Sequence, residues 1–197
     1  MTLYTAEAAR VAAPPAALPV SGKLGMWLFL ASEVILFGGL IASYVVMRLA
    51  RPGWAAESAH LSVMLGAVNT AVLLTSSFSI VMAHRAVDRE GAAVAARWLT
   101  LTVLLGLVFL CIKGIEWRGE LGAGFAPSTG GFWSFYYTMT GLHALHVTAG
   151  IVINGILLLL AAAGRLAPVG RRVEFAGLYW HFVDIVWIFL FPLIYLI

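Results

Sequence analysis

An all-α polytopic membrane bundle of five transmembrane helices is the fold class the sequence predicts, and three observations carry it. Hydrophobic residues make up 62% of the 197 and charged residues only 11%, against about 45–50% and about 25% in soluble domains. The apolar residues also fall into five long stretches, each near the ~20 residues that cross a hydrocarbon layer. The charged residues gather in the short separators between them. Five spans and their loops use up the chain, so no separate extramembrane domain fits.

Residues 1–22 carry Pro14, Pro15 and Pro19, which break a helix, and lack the long apolar centre of a signal peptide. They read as a cytoplasmic N-terminal tail, and residues 23–197 as a five-helix domain. The expected spans are Leu24 to Met47, Leu61 to Ala83, Trp98 to Ile115, Phe132 to Leu160 and Phe175 to Ile197. The third is short and needs residues of the Ala-rich segment before it. The separators are turn-forming: Arg51-Pro52-Gly53, Asp88-Arg89-Glu90-Gly91, Arg118 through Gly131, and Gly164 through Arg172.

Lys and Arg counts set the orientation. Arg10, Lys23, Arg85, Arg89, Arg97, Arg165, Arg171 and Arg172 lie on the side of the N-terminus, and Arg48, Arg51, Lys113 and Arg118 on the other. The N-terminus is therefore expected in the cytoplasm. Trp27, Trp98 and Trp180 are expected near the inner interface and Trp54, Trp117 and Trp133 near the outer one, with Trp187 at mid-depth. The same inward bias accounts for the isoelectric point near 9.3. No basic run exceeds Arg171-Arg172, too little for a nucleic-acid patch. The lone Cys111 excludes a disulfide framework and cysteine-held clusters, and is expected to serve packing.

Polar groups inside the spans carry the functional information, because an ionisable side chain at mid-membrane costs several kcal/mol unless it meets protein or water. Glu33 lies ten residues past Lys23, about 15 Å along a helix. It is either a proton-exchanging acid or a neutral carboxylic acid tying two helices together. Asp184 is one turn from His181, so these two are expected to form a buried polar pair that fixes packing. Lys113 is placed near a span end, from which it can snorkel. His143 and His146 share a face at i and i+3, without the glutamates of a di-iron site, while His181 with one of them could on paper supply two facing axial ligands for haem. Structural hydrogen bonding is the expected role for them, with no metal and no cofactor in this chain. Asn69, Thr70 and the hydroxyls of Thr75 to Ser79 suggest a second span buried against its neighbours. A substrate path is the rival reading there, but repeated halves and broken helices are not apparent.

Four segments taken in order are more specific. Gly25 to Phe37, containing Glu33, resembles the first helix of the five-helix form of cytochrome c oxidase subunit III. Asn69 to Ser77, Gly141 to Val147 with both histidines, and Tyr179 to Trp187 with His181 and Asp184 are similar to that family's later helices. The resemblance runs from about residue 23 onward. It implies an accessory subunit of a proton-pumping haem-copper terminal oxidase, the respiratory enzyme that reduces oxygen to water, in a bacterial cytoplasmic membrane. Haem and copper would then sit in subunits I and II. This chain would pack against subunit I, contact subunit II and any small subunits, hold phospholipid and help sustain proton uptake, with no active site of its own.

By the same resemblance Glu33 corresponds to a membrane-buried, carbodiimide-reactive glutamate, with His146 and Glu174 as its partners and Arg165 near a lipid headgroup. The first two helices of the seven-helix form have no counterpart here, so their lipid contacts do not carry over. Quinol oxidases and some nitric oxide reductases contain related subunits, so either is an alternative complex. A haem-binding membrane anchor is a further alternative.

Overall fold

The computed structural model describes residues 22–51, 53–165 and 170–196. The expected tail, residues 1–22, lies outside the described residues but for Gly22. The elements are α1 (Gly22–Ala50), the short α2 (Trp54–Ser58), α3 (Val63–Arg89), α4 (Ala92–Gly122), α5 (Gly131–Ala162) and α6 (Gly170–Phe191), which runs into a π turn at Pro192–Leu196. Five helices are long and apolar enough to cross a membrane. α4 and α5 hold 31 and 32 residues, about 46–48 Å at 1.5 Å each, so their ends project beyond a ~30 Å hydrocarbon layer.

The separators act through their chemistry. The Ser62 side chain accepts a hydrogen bond from the Leu65 N–H at 3.3 Å and starts α3. Gly91 joins α3 to α4 at φ 93°, a left-handed conformation that a Cβ would penalise. Pro192 removes an N–H from the helical ladder, and there the last turn widens to π.

α3, α4, α5 and α6 make the packed core: α3 lies against α4 and α6, and α5 against the same two. α1 rests on α5 and α6 from outside. Only 11% of its spanning window is buried, against 56% for the last span. The polar second span accordingly turns Asn69, Ser76 and Ser79 into the core. Trp180 shows how closely the helices approach. A Cβ on Gly150 would stand 2.5 Å from its ring and one on Gly106 2.9 Å from it, so only glycine leaves room. Its indole N–H donates to Ser76 Oγ at 3.1 Å.

Several expectations change. The third span is longer at both ends than Trp98 to Ile115, because charged residues interrupt the apolar run without ending the helix. Lys113 is therefore nine residues inside the end of α4, about 14 Å. It is 2% exposed and does not snorkel. Of the expected interfacial tryptophans, Trp27 is exposed, whereas Trp54, Trp133 and Trp180 are buried within the protein. Cys111 is exposed on the outer face of α4 rather than packed.

Candidate functional site

Glu33 of α1 and His146 of α5 meet across the edge of the bundle. His146 Nε2 is 3.0 Å from Glu33 Oε2, with side chains 12% and 15% exposed. His146 Nδ1 lies 2.8 Å from the Leu142 carbonyl, which can only accept, so Nδ1 carries a proton. The remaining hydrogen bond holds one proton that can sit on either partner: a neutral imidazole facing a carboxylic acid, or an imidazolium facing a carboxylate. Both forms keep the two helices tied through that single shared proton. Phe37 sets its ring edge-on to His146 at 5.1 Å. Tyr179 of α6 donates to the His146 carbonyl at 3.1 Å, bringing a third helix to the site.

A groove between α1, α5 and α6 adjoins this contact. It is lined by Met26, Phe29, Ala149, Ile153, Phe175, Ala176 and Tyr179, with Arg172 among them. Phe29 is one turn before Glu33, and Ala149 is three residues past His146. The groove thus has apolar walls, a basic group at the end where α1 begins, and the acid–imidazole pair beyond its other end. That chemistry suits an acyl chain with an anionic headgroup. Arg165, expected near a headgroup, is exposed after α5 and does not line this groove.

Two expected contacts are replaced. Glu174 pairs with Lys23 at 3.2 Å, at the start of α1. Lys23 is ten residues, about 15 Å, from Glu33 along α1, so Glu174 is not the partner of Glu33. His181 Nδ1 bonds Ser77 Oγ of α3 at 2.6 Å instead of Asp184. Both carboxyl oxygens of Asp184, 3% exposed, lack hydrogen-bond partners among the described residues. One helical turn brings the two side chains near each other, but the neighbouring α3 offers the imidazole a better-placed hydroxyl.

The three intramembrane histidines sit in different surroundings. His146 has both ring nitrogens engaged. His143 is stacked on Trp187 at 5.2 Å with Phe109 edge-on at 5.4 Å, and neither of its nitrogens has a hydrogen-bond partner among the described residues. This differs from the structural hydrogen bond expected for His143. No group of three or more His, Cys, Asp or Glu side chains is arranged to hold a metal among the described residues.

Sequence reasoning missed a second buried centre. Lys113 and Glu116 of α4 form an ion pair at 3.3 Å with side chains 3% and 2% exposed, joined by Tyr136 of α5 and Tyr195 of the π turn. The i, i+3 spacing of opposite charges was the available signal. The tyrosines, remote in sequence, gave none.

The chain is similar to known proteins over most of its length. The sequence pattern of the family described as Cytochrome c oxidase subunit III matches residues 15–197. A quinol oxidase subunit 3 of Bacillus subtilis is 36% identical over 174 residues, covering 88% of this chain and 85% of the relative. A cytochrome c oxidase subunit 3 of Thermostichus vulcanus is 35% identical, covering 88% and 86%. A haem-copper oxidase subunit I+III of Aeropyrum pernix is 34% identical over 89% of this chain, which corresponds to 22% of that longer protein.

Proposed function

Because the chain belongs to the cytochrome c oxidase subunit III family of haem-copper oxidases, an integral-membrane subunit of an oxidase complex, we propose that it is an accessory subunit without redox centres. In this reading it packs against subunit I, with subunit II and small subunits also in the complex. It retains phospholipid in the groove beside Glu33 and His146, and supports proton uptake and the durability of turnover. The complex reduces oxygen to water at haem and copper held by partner subunits. The membrane is the bacterial cytoplasmic membrane, with the N-terminus inside, following the basic-residue asymmetry.

The observation that carries the reading is the juxtaposition of the Glu33–His146 contact with the Arg172-bearing groove. A hydrogen-bonded link between α1 and α5 next to a lipid-shaped groove gives a means of coupling lipid retention to helix position. α1 has few other ties to the core, so loosening this link would free the groove's outer wall. The Aeropyrum relative, whose name joins subunits I and III, supports subunit I as the main partner. Relatives named for cytochrome c and for quinol occur at similar identity, so the reading is placed at the level of the haem-copper oxidases.

The test is native mass spectrometry of the complex purified through this chain, comparing the parent with Arg172→Ala. Loss of one or more phospholipids and faster inactivation during sustained turnover is the expected result. Unchanged lipid content and unchanged durability would contradict it.

A further inference from the structure

The Lys113 ammonium is held more elaborately than an ion pair requires. Nζ lies 3.3 Å from Glu116 Oε1, 3.4 Å from the Tyr136 hydroxyl, and in a closer hydrogen bond with the Tyr195 hydroxyl. Three aromatic rings surround it, with centroids 4.8 Å away for Tyr136, 5.4 Å for Trp187 and 5.0 Å for Tyr195. Both phenols donate to the same Glu116 Oε1, Tyr136 at 2.8 Å and Tyr195 at 2.5 Å. The anion and the hydroxyls are thus locked into one oxygen-lined concavity with aromatic walls. Oxygen acceptors together with π faces form the recognition set for an ammonium ion.

The walls come from α4, α5, α6 and the π turn, whereas an i, i+3 pair on a single helix needs no other element. Tyr195 belongs to the last described turn, Pro192–Leu196. Besides its packing, that turn has one further side-chain hydrogen bond to another element among the described residues, from the Tyr44 hydroxyl of α1 to the Leu193 carbonyl at 3.0 Å. Arg48 in turn donates to Tyr44 Oη at 2.9 Å.

We propose that Glu116, Tyr136, Trp187 and Tyr195 form a cation-binding cage for a primary ammonium group, that its resident ligand is the chain's own Lys113, and that filling it docks the C-terminal turn onto α4 and α5. The ligand class is a small alkylammonium, tethered here through the lysine stem. Removing the tether leaves a site of matching shape and charge, because the atoms that Lys113→Ala deletes are those of propylammonium. This cage is at the opposite end of the bundle from Arg172 and uses no residue of the Glu33 site, so its test stands apart from the functional reading above.

The experiment uses the intact membrane complex isolated through this chain. Hydrogen–deuterium exchange is followed for residues 192–196, with thermal unfolding in parallel. In Lys113→Ala, exchange of the turn should accelerate about a hundredfold, as expected when a buried anion loses its partner. Propylammonium should restore slow exchange saturably, and 1-propanol should not. In the double variant Lys113→Ala, Glu116→Gln, propylammonium should no longer protect the turn. Lys113→Met keeps the volume without the charge and should release the turn by itself, which keeps the test decisive if the alanine variant does not accumulate. Parent-like exchange in Lys113→Met, or rescue of Lys113→Ala by propanol as effective as by propylammonium, would overturn the proposal.

Discussion

Glu33 Oε2 and His146 Nε2, 113 residues apart in sequence, share a hydrogen bond of 3.0 Å while the other imidazole nitrogen is held by the Leu142 carbonyl. The geometry fixes the tautomer and leaves one mobile proton. Structural tie and proton site are therefore two descriptions of one contact, and only variants that keep one property while removing the other separate them.

Glu33→Gln supplies an amide N–H that can still donate to His146 Nε2, yet cannot titrate. Glu33→Ala leaves Nε2 of the imidazole without a partner. Thermal unfolding of the complex should show Glu33→Ala to be less stable than Glu33→Gln by about 1–3 kcal/mol. Initial oxygen reduction should persist in both, with faster decay over many turnovers. Immediate and complete loss of activity in an assembled complex would count against the accessory role.

Ser77→Ala removes the hydroxyl that meets His181 Nδ1 at 2.6 Å and strands a partly buried imidazole. The expected cost is about 1–3 kcal/mol in thermal or denaturant unfolding. Asp184→Asn should unfold no earlier than the parent, because no hydrogen bond to the carboxyl is lost among the described residues and a buried charge need no longer be accommodated. The opposite ranking would restore a His181–Asp184 pair as the important contact.

Gly150→Ala places a Cβ where the Trp180 ring already stands, 2.5 Å away. Trp180 is enclosed on several sides, so relief requires the helices to part. Destabilisation of about 1–3 kcal/mol is expected by thermal unfolding. Gly155→Ala, with open space at its Cβ, is the control and should unfold with the parent.

Lys23→Ala breaks an ion pair whose members are 60% and 35% exposed. Such pairs contribute roughly 0–1 kcal/mol, and the variant should be nearly as stable as the parent. Glu174→Ala should leave the rate of carbodiimide labelling at Glu33 unaltered, since the two carboxyls are on separate parts of α1's flank. A labelling rate that follows Glu174 would reinstate the pairing suggested by resemblance.

The five spans were legible because a long apolar run with almost no charge is stable chiefly in lipid, and the polar stripe of Asn69 to Ser79 already marked the side of α3 that packs inward. Glu33 stood out for the same reason: a charge in such a run needs a cause. Its partner was not readable from spacing, since His146 is brought to it only by the packing of α1 on α5, and the resemblance supplied that pairing. The Lys113 centre was obscured by composition. Lys113, Glu116, Arg118 and Glu120 together resemble a helix end, yet α4 continues to Gly122. Tyr195, which completes that centre, lies 82 residues from Lys113, beyond any local pattern. His181 shows the reverse error. A partner one turn away was visible in sequence, but the hydroxyl that holds the ring comes from the neighbouring helix.

The most direct test of the accessory, non-redox role is selective removal of this chain from the purified complex, followed by the haem absorption spectrum and oxygen-reduction time course of the remainder. The expected result is that all haem stays with the partner subunits and the initial rate survives, while activity decays sooner and the phospholipid leaves with this chain. A Soret band that travels with this chain, or is lost in its His146→Ala or His181→Ala variant, would contradict the account.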